Sequence, residues 1–201
     1  LENSSVTPAR VRLLVESGEL DKAAEEALQC ALQLLDEQRA HKALEVLDLV
    51  VHRPERINQP WELLGELYLL HARCGLMVRP TDVATARSLA RAQRLLEESP
   101  LRPRVELARA RAQWVIGHYP NYRKYLETAW AAVNEVGDDR TAFTVAEHLG
   151  HAYLWAGQPR VAGRWFEQAR ERAKRARDIK LMSRAELATA SWLYHKGELS
   201  G

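Results

Sequence analysis

Apolar residues recur at three- and four-residue intervals along most of the chain, and Pro, Gly and Asp punctuate the pattern at short, fairly even spacing. Thr7-Pro8 supplies an N-cap followed by proline at the first helical position, predicting a helix that runs to Gly18. From Leu20 to about Leu35, the residues Ala23, Ala27, Cys30, Ala31 and Leu34 share one stripe. From Arg39 to Val51, Ala43, Leu44, Leu47 and Val50 share another. Pro54 and Pro60 bracket a loop, and a fourth helix from Trp61 to Cys74 is predicted to end at Gly75. Pro80-Thr81-Asp82 opens a fifth to Glu98, and Pro100 and Pro103 close the next gap. A sixth, Arg104 to Ile116, stops at Gly117, and a seventh follows Pro120-Asn121 through Val136. The last three run Arg140 to Ala156, Pro159 to Arg177 and Ile179 to Lys196, with Gly157 and Gly197 as stops. Helices of this length joined by such short turns pack as antiparallel neighbours.

Composition agrees with that reading. The 201 residues include 29 Ala and 29 Leu but only 3 Ile and 14 Val, so helix formers dominate and β-branched residues are scarce. The fold expected is all-α, about ten antiparallel helices, and a parallel-sheet enzyme or β-sandwich is disfavoured.

One stretch carries a specific repeat signature. Between Phe143 and Ala176, Leu149-Gly150 is followed by Tyr153, Gly157, Ala162, Phe166 and Ala169. This resembles a tetratricopeptide (TPR) repeat, two antiparallel helices in about 34 residues. Ala146, where Trp or Leu is common, and Lys174, where Pro is common, depart from it. Small residues at Gly150 and Ala162 let the paired helices approach where they cross, and Tyr153 and Phe166 fill the space beside that crossing.

A second match places Trp61, Leu64-Gly65 and Tyr68 at the same spacing, with Thr85, Leu89 and Ala92 on its partner helix. Here 17 residues separate Tyr68 from Thr85, against 9 from Tyr153 to Ala162, so an inserted surface loop is expected at roughly Gly75 to Asp82. The clearest repeats are therefore 58–98 and 143–176. The pair at Arg104–Val136 is degenerate, keeping Tyr122, Leu126 and Ala129 only. The resemblance implies a right-handed helical-hairpin solenoid, a single fold over residues 1–201. It reads as a piece of a longer protein, because Ile179–Lys196 is the first half of a pair whose second half is missing.

The N-terminal Ser-Gly-Glu-Leu-Asp-Lys-Ala-Ala segment, then a pair, then longer repeats is similar to a narrower group. It looks like the TPR-like sensor region of bacterial signal-transduction ATPases. Such regions also occur behind kinase or cyclase modules and in maltose-activator-like transcription factors.

Catalytic chemistry has little to stand on. The sequence holds no Gly-rich phosphate loop, nucleophile elbow or His-Glu-x-x-His motif. His148 and His151 lie three apart with Glu147 beside them, but two histidines leave metal affinity unexplained. No catalytic residue, metal or cofactor is expected. Carboxylate pairs such as Glu25-Glu26, Glu97-Glu98 and Asp138-Asp139 read as caps or solvated faces. Cys30 and Cys74 are too few for a disulfide framework and read as buried thiols in a reducing compartment, the cytoplasm. No apolar run reaches bilayer length, and Leu1–Ser5 lacks a signal peptide's basic and apolar regions.

Net charge is +2, unevenly spread: residues 1–70 carry 7 basic and 13 acidic side chains, residues 71–201 carry 22 and 14. The basic run Arg170, Arg172, Lys174, Arg175, Arg177, Lys180, with Arg87, Arg91 and Arg94, raises phosphate tracking. Glu167 and Glu171 interleave at helix-pairing distances, which favours a solvated face over nucleic acid.

The family resemblance implies that the first helix of each pair lines a concave groove. Carried across, the groove residues are Gln59, Glu62, Glu66 and Leu69; then Arg104, Leu107, Arg111 and Trp114; then Thr144, Glu147, His151 and Leu154. That mixture suits a peptide, a partner protein or a neighbouring domain of the same chain. Glu62, Glu66, Glu147 and His151 stand where chaperone-adaptor repeats carry Lys and Asn, which argues against a C-terminal carboxylate clamp. The expectation is a non-catalytic interaction or sensing arm of a multidomain regulator. A scaffold or self-association module is the alternative, and a nucleic-acid-contacting segment the minor one. Trp114, Trp155, Trp165 and Trp192 lack full repeat-core explanations, and any exposed one is a binding anchor.

Overall fold

The computed structural model describes residues 6–52 and 59–197. Pro54, Leu1–Ser5 and the tail after Gly197, to which sequence expectations attach, lie outside the described residues. Ten helices and no strand are found among those described: α1 Pro8–Glu16, α2 Leu20–Asp36, α3 Ala40–Val51, α4 Trp61–Val78, α5 Val83–Leu95, α6 Arg102–Val115, α7 Tyr119–Val136, α8 Asp139–Trp155, α9 Pro159–Ala176 and α10 Ile179–Lys196. The chain divides into two compact units, 1–108 and 109–201.

Caps and stops act where the sequence placed them. Thr7 Oγ1 accepts from the Arg10 N–H, Asp82 Oδ1 from Ala84, and Asp138 Oδ1 from Thr141. Gly117 and Gly157 end their helices at φ of +74° and +71°, a conformation that costs glycine nothing. Two prolines expected outside helices lie inside first turns: Pro103 in α6 and Pro120 in α7. A first turn has no intrahelical use for the missing N–H, so proline is tolerated there.

Gly75 is a correction. It does not stop α4, which runs on to Val78, and the expected loop shrinks to residues 79–82. The reason is steric: a Cβ at Gly75 would sit 2.2 Å from Thr85 Oγ1, so the glycine serves close approach of α4 and α5. The longer arm also moves the crossing. Gly65 faces Leu96, with a hypothetical Cβ 2.6 Å from its Cδ2, and not Leu89 as the repeat alignment implied.

In the first unit, Ala23, Ala27, Ala31, Leu44, Leu47, Val50, Leu67 and Cys74 share one core. A second cluster joins Tyr68, Leu69, Ala92, Leu96, Val105 and Ala108. In the second unit, Phe143, Ala146, Ala169, Ala173 and Ala185 pack together beside Trp130 and Trp165. Phe166 fills the space over Gly150, where a Cβ would lie 2.5 Å from the ring.

Candidate functional site

In the second unit, α6, α7 and α8 bring chemically distinctive residues together. Arg111 and Trp114 lie one turn apart on α6; Tyr119, Tyr122 and Arg123 begin α7; His148, His151 and Trp155 share a face of α8. Arg111, Trp114, Tyr122, His148, His151 and Trp155 line an inner cavity of about 140 Å³. Trp114, Tyr122 and Trp155 also wall an outer concavity of about 430 Å³, completed by Tyr119, Pro120, Arg123, Ala152 and Ala156.

The aromatic rings hold one another in place. Trp114 stacks on Trp155 at 4.6 Å between centroids and 23° between planes, and His151 stacks on the same Trp155 at 5.6 Å. Tyr119 meets Trp114 edge-on at 5.0 Å. Both stacked indoles nonetheless face solvent, Trp114 at 38% and Trp155 at 59% exposure. Exposed aromatics fixed by their neighbours lose little entropy on binding.

Electrostatics inside the cavity are unusual. The Tyr122 hydroxyl and His148 Nδ1 share a hydrogen bond of 2.7 Å. Burial, with Arg111, His151 and Arg184 adding to it, pushes the His148 imidazole down to about 3, so it is neutral at ordinary pH. Burial also lowers His151 and Arg111 and raises the Tyr122 phenol. No other described group is within hydrogen-bond or ion-pair distance of the Arg111 guanidinium.

The residues expected in a groove divide by environment. Arg111, Trp114 and His151 converge on the cavity. Glu147 does not line it: the side chain is buried and ion-paired with Arg184 of α10. Thr144 donates to the Arg140 carbonyl on its own helix, and Leu154 packs beside Phe166 and Ala162. In the first unit Glu66, Leu69 and Arg104 meet at a crease of about 20 Å³, too small for a ligand. Leu69 there is only 2% exposed and belongs to the core. Gln59 donates to Glu25 Oε1 at 3.0 Å and ties the start of α4 to α2. Glu62 is exposed and Leu107 half-buried, neither at a described cavity.

Tyr119, Tyr122, Arg123, His148 and Trp155 were not among the groove residues. Tyr122 reads as repeat core and is indeed buried, yet it also lines the cavity. Trp155, seven residues after His148 on α8, was the available signal. The basic run on α9 is partly spoken for. Arg172 donates to Asp139 at 2.9 Å and Asn134 at 2.6 Å, and Arg170 pairs with Glu186 at 3.2 Å. No described helix is long and apolar enough to cross a membrane.

No protein-family model matches the sequence, and no curated protein is significantly similar to it. Solved structures do match. A Pyrococcus horikoshii Signal Transduction ATPase with Numerous Domains (STAND) protein with a tetratricopeptide repeat sensor aligns at TM-score 0.69 and 15% identity over 93% of this chain. The chain spans 28% of that protein's length. A Podosopora anserina protein described as a kinesin light chain with nearly identical TPR-like repeats aligns at TM-score 0.62 and 18% identity, covering 96% of this chain and 89% of its own. At such identities the likeness is one of architecture, and the fold of this chain is that of an all-α, tetratricopeptide-like helical repeat.

Proposed function

We propose that this chain is a non-catalytic recognition module, the sensing or interaction arm of a multidomain regulator, which holds a peptide or a segment of a partner protein on the second unit. The observation that carries this reading is the stacked Trp114–Trp155 pair, held by Tyr119, Tyr122 and His151 and still open to solvent. Rigid, exposed aromatics beside a concavity are the commonest anchors of protein interfaces. The likeness to a STAND protein's tetratricopeptide repeat sensor supports the regulatory context. A partner seated on the exposed indoles at the rim of the concavity would favour one arrangement of the arm over another by its differential affinity.

The test is affinity capture from the source cell with native bait and a Trp155→Ser bait, each with and without nuclease. A protein retained by the native bait and lost with the variant is the expected result. Recovery of nucleic acid alone, or equal recovery on both baits, would sink this assignment.

Self-association is a second reading with its own observation. One face of α10 exposes Ile179 at 80%, Leu187 at 71% and Tyr194 at 72%. Sedimentation of the wild type and of Leu187→Lys, Tyr194→Lys separates the readings. Concentration-dependent oligomers abolished by the double variant would favour a scaffold, and a monomer throughout would remove it.

A further inference from the structure

We propose that the inner cavity of the second unit is a small-ligand site for an aromatic carboxylic acid, with Arg111 receiving the carboxylate and the indole and phenol walls receiving the flat apolar body. This goes beyond partner recognition at the rim and does not depend on it.

Arg111 is half-buried at the cavity wall and has no counter-charge from the described residues within ion-pair distance. A partly desolvated guanidinium gains from a counter-charge or a set of acceptors. Three neighbouring arginines of this unit have them: Arg172 has Asp139 and Asn134, Arg184 has Glu147, and Arg109 donates to the Tyr125 hydroxyl at 3.0 Å. Arg111 has none among the described residues. Neither the inner nor the outer concavity has an Asp or Glu in its lining. Glu147, the carboxylate that acts on Arg111 through space, is held by Arg184. The guanidinium is therefore open to an acceptor entering the cavity it lines, and a planar carboxylate matches its fork.

The charge at the cavity is small. His148 is neutral, with Nδ1 engaged by Tyr122, and His151 is shifted in the same direction. The inner cavity thus presents one positive charge, which suits a monoanion better than a phosphate ester.

Shape and lining point the same way. The inner cavity admits a carboxylate and the atoms next to it, and the outer one admits a ring. The outer concavity, about 430 Å³, has the size of a small-ligand site, and the inner one, about 140 Å³, that of a small group's subsite. Trp114, Trp155 and Tyr122 line both, so the two concavities adjoin and a flat ligand body in either lies against aromatic side chains. No Asn or Gln lines either concavity, so the side-chain amides that would hold a peptide backbone are lacking.

Calorimetry and thermal-shift assays would use four probes: phenylacetate, its neutral amide phenylacetamide, acetate, and the doubly blocked dipeptide N-acetyl-Phe-Glu-amide. The expected order is phenylacetate tightest, with phenylacetamide weaker by about tenfold or more, the usual worth of a charged hydrogen bond. Arg111→Gln should erase the preference for acid over amide, Arg111→Lys should keep part of it, and Trp155→Ala should weaken both ring-bearing probes. Circular dichroism and unchanged melting without ligand would show that the variants fold. Equal affinity for acid and amide overturns the proposal. So does an Arg111→Gln protein that still prefers the acid, or no binding of phenylacetate up to about 10 mM, near the floor of specific recognition. Binding of the blocked dipeptide with no binding of the free acid overturns it too, and would make the cavity a docking pocket for an acidic peptide. Loss of protein capture by Trp155→Ser with no acid binding would leave partner recognition standing and remove this site.

Discussion

Phe166 of α9 occupies the space over Gly150 of α8, so that a single added methyl carbon would lie 2.5 Å from its ring. The crossing of these two helices is set by the absence of that methyl. Gly150→Ala is expected to destabilise the protein by about 1–3 kcal/mol through overpacking, despite alanine's better helix propensity. Phe166→Leu in the same background should recover part of the loss, because the two sites share one volume. Urea unfolding of the double-mutant cycle measures this, and additive effects would refute the steric account.

Gly75 makes a sharper test because its sign should reverse. Against wild-type Thr85, Gly75→Ala meets a side chain fully buried between α4 and α5 and should destabilise. In a Thr85→Gly background these contacts are gone, and the same change should stabilise by up to about 1 kcal/mol, the propensity difference in a helix interior. Loss of stability in both backgrounds would mean that atoms other than the Thr85 side chain crowd Gly75, whose backbone is helical.

Glu147 is a stability residue in this structure. Its carboxylate is buried and paired with Arg184 across α8 and α10. Glu147→Lys should cost about 2–4 kcal/mol, since it leaves a cation beside Arg184 and near Arg111. Glu147→Gln should cost about 1 kcal/mol, because hydrogen bonding to Arg184 survives. Chemical denaturation reads both, and a native-like midpoint for the lysine variant would contradict the pairing. Charge reversal at Glu147 therefore reports on folding, and changes at His151 or Trp155 report on the cavity.

Acid should destabilise this protein through its histidines. His148 is held down to about 3, chiefly by burial, whereas an unfolded histidine takes its proton near about 6.5. Between those values the unfolded state binds the extra proton, so stability rises with pH there. It is fully present above about 6.5 and is lost as pH falls towards 3. His71 and His151 shift the same way. For His71, burial outweighs the opposing hydrogen bond from its Nε2 to Asp48, at 2.9 Å. Each such histidine contributes at most about 1.4 kcal/mol per pH unit within its window. His148→Gln should flatten the dependence of unfolding free energy on pH between 6.5 and 3, and an unchanged slope would show that His148 titrates normally.

Both cysteines are buried and free, and burial pushes the Cys74 thiol up to about 11. The thiolate is the reactive form, so a disulfide-exchange reagent at neutral pH should label neither residue in the native protein. Both should react promptly in denaturant. Fast labelling of Cys74 without denaturant would mean that α4 and α5 open more readily than their packing implies.

Helix number, order and most boundaries followed from the sequence alone, because each rests on local physics. Thr7 and Asp82 cap, Gly117 and Gly157 take the left-handed conformation, and apolar residues at helical spacing need a neighbour. The repeat pattern at Leu149, Gly150, Tyr153, Ala162 and Phe166 also carried the tertiary pairing of α8 with α9, since the spacing itself encodes the crossing. Gly75 was misread because a glycine that ends a helix and one that admits a neighbouring helix look identical in one dimension. What distinguishes them is Thr85, ten residues away in sequence and in contact in space.

The candidate site was legible only in part for the same reason. Of the groove positions carried across from a repeat, Arg111, Trp114 and His151 line the cavity between α6, α7 and α8. Which carboxylate pairs with which cation is a matter of three-dimensional neighbours, so the engagement of Glu147 by Arg184, and the lack of any such partner for Arg111, appeared only on folding. The sequence alone determined that this chain is a helical repeat; the packing of α6, α7 and α8 decided where an aromatic, singly charged cavity would lie. Helix formation depends on nearest neighbours along the chain, whereas a cavity depends on residues the chain brings together from far apart.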